Sequence, residues 1–216
     1  KMDYHGKSLP VRLPKVIAKH QVSAALAAAA VGIALRVNPV QIVDALAAFG
    51  PLPGRMRLVP GTKGSILLDD TYNASPASTV AALAALGELQ ASRKIAILGD
   101  MLEIGEDSVK KHRELAEPVV LSGAKQVVLV GHGMKYLFDE LIERFGFSRQ
   151  QVFWFERSGE AASFAEDMAQ EGDLILVKGS QGIRMERVSE KLLFDPVEAP
   201  YFLCRQSLEW KAKSSE

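Results

Sequence analysis

Five short runs of β-branched and aliphatic residues constrain this chain more than any other feature. They are "SILLDD" (65–70), "KIAILGD" (94–100), "QVVLVG" (126–131), "QVFWF" (151–155) and "DLILVKG" (173–179), each parted from the next by a stretch of helical length and composition. Continuous apolar runs of this length mark strands buried on both faces. Parallel neighbours need crossover connections, and helices are the usual ones. The pattern predicts an α/β fold with a mostly parallel sheet flanked by helices.

Upstream the pattern differs. Residues 20–36 have the Ala-rich, turn-free composition of a helix, Asn38-Pro39 breaks it, and "VQIVDALAAFG" supplies a second helix closing at Gly50. "GPLPGR" (50–55), with two Pro and two Gly in six residues, is the expected linker. The polar end "QSLEWKAKSSE" (206–216) is expected to fray. A chain of 216 residues accommodates one good-sized domain, or one domain and part of another. The start at Lys1, without an initiator Met, suggests a fragment.

Acids and bases balance at 26 each, so no bulk charge draws the chain to nucleic acid or anionic lipid. "ALAAAAVGIAL" (25–35) is too short to cross a bilayer and lacks the flanks of a signal peptide. The single Cys204 cannot form an internal disulfide, which fits a reducing, cytoplasmic setting. Histidines at 5, 20, 112 and 132 show no metal-site spacing, and "DMLEIGEDS" (100–108) lacks the acid spacing of a calcium loop. Gly6-Lys7-Ser8 imitates the end of a phosphate loop, but Lys1 stands where a glycine is needed and Pro10 and Pro14 forbid the following helix.

In open α/β sheets ligands bind beyond the carboxyl ends of the strands. The residues there are Asp69 and Asp70, Gly99-Asp100, Gly131-His132-Gly133, Glu156-Arg157 and Lys178-Gly179-Ser180. A carboxylate at a strand end can accept hydrogen bonds from a ribose diol or hold a cation, while its neighbour, pointing across the pleat, fixes the turn. Alternation alone leaves open which of Asp69 and Asp70 does which, and both can also serve the turn before a helix capped at Ser75-Pro76. Lys178-Gly179-Ser180 admits an anion-binding reading or a plain strand-to-helix turn. Gly131-His132-Gly133 has Tyr136 where a dinucleotide fingerprint needs glycine, so it reads as a packing turn.

Taken in order, "PLPGRM" (51–56), "LLDDTYNASP" (67–76), "ILGDMLEIGEDS" (97–108) and "VKGSQGIRMERV" (177–188) resemble the Mur ligases, and most closely their members that join D-alanyl-D-alanine to UDP-N-acetylmuramoyl-tripeptide. The resemblance covers the chain from about Pro10 to Leu193. It implies a Rossmann-like carboxyl-terminal domain over 52–200, preceded at 1–51 by a short helical remnant of the central ATPase domain and followed by a tail at 201–216. It implies ATP-dependent amide formation with ATP and Mg²⁺, the cation held mainly by a part of the central domain that the chain lacks. The partners implied are D-alanyl-D-alanine, UDP-N-acetylmuramoyl-tripeptide and the missing N-terminal and central domains in cis or in trans, with no nucleic acid and no membrane. Without a P-loop the chain is expected to be inactive alone, and no catalytic or metal-ligating residue is assigned to it.

Residue by residue, the resemblance gives Arg55 to the ATP phosphates, Asp70 to the ribose hydroxyls and Tyr72 and Asn73 to the nucleotide side of that loop, leaving Asp69 to stabilise the turn. Gln21 replaces an asparagine of the family's ATP-contacting segment. Asp100, Lys178, Gly179 and Ser180 fall where relatives contact the incoming amino acid or dipeptide. Departures are Ala24 for a second asparagine, Ser75 for asparagine and Gln181 for arginine, the last removing a cation. The alternatives are a stand-alone, non-catalytic nucleotide or amino-acid binding module of the same fold, or another Mur-type ligase such as the one adding the third peptide residue.

Overall fold

The computed structural model describes residues 1–213; Ser214, Ser215 and Glu216, and the side chains of Lys7 and His20, lie outside the described residues. The chain divides into two compact units, Lys1–Leu52 and Pro53 onward.

The first unit begins with an antiparallel hairpin, β1 (Met2–Tyr4) and β2 (Lys7–Leu9), that sequence patterning missed. His5 and Gly6 both have positive φ, 46° and 73°, as a two-residue type I′ turn requires. The segment that imitates a phosphate loop is therefore the returning strand of a hairpin. Helix α1 (Lys19–Ala34) and helix α2 (Pro39–Ala48) follow. Asn38 caps α2 by accepting from the Val40 N–H at 2.9 Å, and Pro39 occupies the first turn, where its missing N–H costs nothing. Ala25, Ala29, Ile42 and Leu46 form the small core of this unit.

In the second unit all five predicted strands are present: β4 (Ile66–Asp70), β5 (Arg93–Gly99), β6 (Gln126–Val130), β7 (Val152–Phe155) and β8 (Asp173–Lys178). They are parallel, and β3 (Arg57–Pro60), which the sequence did not disclose, joins antiparallel at one edge to give the order β3-β4-β8-β5-β6-β7. Helices cover both faces: α3 (Pro76–Glu88), α4 (Ser108–Arg113), α5 (Ala116–Leu121), α6 (Met134–Glu143), α7 (Ser158–Met168) and α8 (Glu186–Lys191). One core joins Leu67, Ile95, Ile97, Val128, Val130, Ile175 and Val177 to Ala161 and Ala165 of α7 and Val188 of α8. Leu68, Leu98, Leu129 and Leu176, one position along each strand, are also fully buried and point to the opposite face. Each such side chain contributes about 1.5–3 kcal/mol of burial, which is why these strands read as unbroken apolar runs.

Strand β8 enters last, between β4 and β5, so the loops leaving β4, β8 and β5 adjoin. Register aligns Asp70 with Lys178 and Lys178 with Leu98, so the ends of the three strands are level. The tail corrects an expectation. Residues 199–202 and 208–211 form helical turns α9 (Ala199–Phe202) and α10 (Leu208–Lys211), and the chain is held as far as Lys213 rather than frayed, while 214–216, where the same expectation also fell, lie outside the described residues.

Candidate functional site

The two adjacent carboxylates at the end of β4 point to opposite sides of the sheet and hold different partners. Asp69 is fully buried. It accepts from Ser189 Oγ at 2.7 Å, Thr71 Oγ1 at 2.9 Å and the Gly54 N–H at 2.9 Å. Desolvation outweighs these donors, and burial pushes its carboxyl up to about 6, with Asp70 adding to the rise. Asp70 is paired with Lys178 Nζ at 2.6 Å and accepts from the Met56 N–H at 3.1 Å. Both acids thus anchor the segment 54–56 to the strand. Gly54 is required there: its φ is +74° and a Cβ would stand 2.9 Å from the Tyr72 nitrogen.

Between the two anchored residues lies Arg55, whose guanidinium sits 3.9 Å from the centre of the half-exposed Tyr72 ring. Arg205 reaches the same loop from the tail, donating to the carbonyls of Thr71 (2.9 Å) and Tyr72. Lys178, 2% exposed, also donates to the Asn73 carbonyl at 2.9 Å. Arg55, Asp70, Tyr72, Asn73 and Lys178 therefore converge on one loop.

Ser180 is the knot of the neighbouring loops. Its Oγ donates to the Ala74 carbonyl at 3.2 Å and accepts from the Leu102 N–H at 2.8 Å, while its own N–H donates to the Asp100 carbonyl at 2.9 Å. Gly179 serves close packing, since a Cβ there would meet Met185 Cγ at 2.5 Å and Gly99 Cα at 3.0 Å. Asp100 is turned away toward α6: its carboxylate accepts from the N–H groups of Gly133 (2.9 Å) and Met134 (2.6 Å), at a helix N-terminus that favours negative charge. A Cβ at Gly131, whose φ is +103°, would stand 2.5 Å from the Asp100 carboxylate, so Gly131-His132-Gly133 is a packing turn. Buried His112 completes this cluster, accepting from the Met101 N–H through Nε2 at 3.1 Å with Nδ1 on the Ser108 carbonyl at 2.7 Å. Gln21, in the first unit, accepts from the N–H groups of Ile17 and Ala18 at 3.3 Å each and so caps α1.

Beside Ser180 and Asn73 lies a pocket of about 360 Å³, within the usual range for small-ligand sites. Sequence reasoning missed much of its wall: Leu102, Glu103, Arg184, Trp210 and Lys213. Arg184 and Arg205 share the buried Glu186, at 2.5 and 3.4 Å. Left-handed backbone gathers at this rim, in Met56 (φ 54°), Glu103 (61°), Arg184 (61°) and Arg205 (57°). Non-glycine residues hold that conformation only where surroundings over-determine it, a condition common at functional sites.

Fold and rim together define a Rossmann-like α/β domain with a polar crevice at the carboxyl ends of its parallel strands. Residues 54–181 match the Mur ligase, glutamate ligase domain, and the chain belongs to the Mur ligase family. A UDP-N-acetylmuramoyl-tripeptide–D-alanyl-D-alanine ligase of Rickettsia prowazekii is 34% identical over 135 residues, 62% of this chain and 29% of that protein. A crystal structure of MurF from Acinetobacter baumannii superposes with TM-score 0.74 at 28% identity, covering 84% of this chain and 39% of that one. MurF ligase from Thermotoga maritima in complex with ADP superposes with TM-score 0.58 at 26% identity, over 73% of this chain and 34% of that one. The chain thus spans well under half the length of these relatives.

Proposed function

We propose that the chain is the carboxyl-terminal part of an ATP-dependent amide ligase of peptidoglycan synthesis, acting in the cytoplasm to join D-alanyl-D-alanine to UDP-N-acetylmuramoyl-tripeptide. The observation that carries this reading is the rim itself: Asp70 and Lys178, aligned and paired, bring the Arg55–Tyr72 loop beside the pocket at Ser180. Residues 1–51 are read as the end of the central ATP-binding domain and 52–200 as the carboxyl-terminal domain, a division that the compact units support.

In the reaction proposed, the ATP γ-phosphoryl group passes to the tripeptide carboxylate, giving an acyl phosphate and ADP. The dipeptide nitrogen then forms the C–N bond as the C–O bond to phosphate breaks, and phosphate and a proton leave. Such chemistry depends on positioning and on neutralising phosphoryl charge. Arg55 would meet the phosphates, Tyr72 and Asn73 would line the nucleotide, and Asp70 would take the ribose hydroxyls. Gln21 keeps its assignment to ATP only if its amide leaves the helix cap. Lys178 and Gly179 act by shaping the loops that receive the dipeptide, Ser180 borders the pocket, and Asp100 positions α6 behind it. Mg²⁺ would be held mainly by the central domain; among the described residues no group of three or more His, Cys, Asp or Glu is placed to hold a metal ion. No helix among the described residues is long and apolar enough to cross a membrane.

The test is phosphate release. The chain alone, given ATP, Mg²⁺ and both substrates, should release none above background. The same chain joined to the two preceding domains of the Acinetobacter baumannii enzyme should show dipeptide-dependent release that Arg55→Ala removes. A folded chimaera that stays silent, while the isolated chain binds ADP but not D-alanyl-D-alanine by calorimetry, would replace the ligase reading with a nucleotide-binding module.

A further inference from the structure

One wall of the pocket beside Ser180 comes from outside the sheet. Helical turn α10 and the two residues after it bring Trp210 and Lys213 into the same lining as loop residues Leu102 and Glu103. This wall is built in. Arg184, 3% exposed, donates to the carbonyls of Trp210 at 2.7 Å and Lys213 at 2.9 Å, and Arg187 donates to the Lys213 carbonyl as well. The gripping guanidinium is itself fixed through Nε on Glu186 at 2.5 Å.

The charges of the lining differ in what they have left to do. Arg184 is neutralised by Glu186 and turned onto carbonyls. Glu103 and Lys213 stand in no ion pair among the described residues, and the Lys213 ammonium lies 4.0 Å from the centre of the Trp210 ring. Glu103 is displayed from left-handed backbone, a conformation that loop sterics alone disfavour. Besides this carboxylate and this ammonium, the lining includes the amide side chains of Asn73 and Gln181 and the apolar side chains of Leu102 and Trp210. That distribution complements a small zwitterion with short apolar side chains.

We propose that Lys213 is a specificity-determining residue, its ammonium receiving the carboxylate of the small peptide while Glu103 faces the peptide's amine. The inference rests on the reading that this pocket takes D-alanyl-D-alanine. A charge-assisted hydrogen bond at a partly open site discriminates by roughly tenfold or more.

Trp210 provides the readout. The sequence has two tryptophans, so Trp154→Phe leaves Trp210 as the only indole, in the wall of the pocket. Fluorescence titrations of this chain with D-alanyl-D-alanine, its carboxyl-terminal amide and its N-acetyl derivative should show the free acid binding about tenfold tighter than the amide. Lys213→Met should abolish that preference and Lys213→Arg should keep it, while Glu103→Gln should remove only the preference for the free amine over the N-acetyl form. Equal affinity for acid and amide in the parent, or a preference that survives Lys213→Met, overturns the role of Lys213 and leaves the pocket reading standing. No binding of any of the three probes to the parent overturns the pocket reading and this inference together.

Discussion

Replacing Lys178 with Met isolates the energetics of the rim. Lys178 and Asp70 have side chains 2% and 11% exposed and meet at 2.6 Å, and the ammonium also satisfies the Asn73 carbonyl. Methionine keeps most of the side-chain volume but leaves the Asp70 carboxylate facing a buried thioether. Breaking one side of a buried ion pair costs about 3–5 kcal/mol, because the remaining charge stays desolvated without its ammonium. For a unit of this size each kcal/mol lowers the midpoint by about 2–4 °C, so Lys178→Met should lower the Tm by about 10 °C. Both tryptophans, Trp154 and Trp210, belong to the second unit, so their fluorescence in urea or on heating reports that unit without interference from the first. Asp70→Asn with Lys178→Met should recover at least half of the loss, since no uncompensated charge remains, and the cycle should yield a coupling of at least about 1.5 kcal/mol. A Lys178→Met variant within about 1 kcal/mol of the parent, or a double variant whose cost is the sum of the singles, would refute the assignment of Lys178 as a buried structural partner of Asp70.

Three further outcomes follow from the same geometry. The folded state holds the Asp69 proton up to about 6 against an ordinary value of 3.8, so it binds protons more readily than the unfolded chain in that window. This group's contribution is therefore most favourable below pH 3.8 and falls by about 3 kcal/mol as pH rises to about 6; urea titrations should show that slope flattened in Asp69→Asn. Gly131→Ala, which pairs a φ of +103° with a Cβ 2.5 Å from the Asp100 carboxylate, should cost about 2 kcal/mol or more, and Asp100→Ala should relieve part of it in the double variant by chemical denaturation. Gly179→Ala, whose Cβ would meet Met185 Cγ at 2.5 Å, should cost about 1–3 kcal/mol and be partly rescued by Met185→Ala, a change that a purely conformational role for Gly179 would not produce.

What was legible in the sequence follows from how each feature is stabilised. The central parallel strands could be read because both their faces are buried, which forces an apolar residue at almost every position, and edge strand β7 because its less buried positions hold half-buried aromatics. Strand β3 escaped because an edge strand of four residues, carrying Pro60 and exposed Leu58, has no such run; only its pairing with β4 makes it a strand. The carboxyl-end rule brought Asp70, Lys178, Ser180 and Asp100 to one rim, since chain direction in a parallel sheet determines where strands end. It did not disclose that Asp100 turns to the α6 N-terminus, because that choice depends on backbone N–H groups 33 and 34 residues away. The tail was misread for a related reason. Polar composition argues for fraying, yet the turn is held through main-chain carbonyls of Trp210 and Lys213, an interaction to which their side chains contribute nothing visible in composition.

The buried charges of the rim make sense as determinants of position rather than of stability. Removing Lys178, Asp70, Arg184, Glu186 and Arg205 from water costs several kcal/mol per ion, and attraction between partners roughly repays it, so an apolar core of equal volume would serve stability as well. What an apolar core cannot do is hold particular backbone atoms. Each cation here also grips a carbonyl: Lys178 that of Asn73, Arg184 those of Trp210 and Lys213, Arg205 those of Thr71 and Tyr72. Asp69 and Asp70 do the converse with the N–H groups of Gly54 and Met56. Three segments far apart in sequence, 54–56, 71–74 and 205–213, are thereby held in place by charge-assisted bonds, with left-handed backbone at Met56, Glu103, Arg184 and Arg205 tolerated as the cost of that placement. A rim that only closed off the sheet would not require backbone atoms to be held this way; one that presents Arg55, Tyr72 and Lys213 as the proposed ligand contacts would.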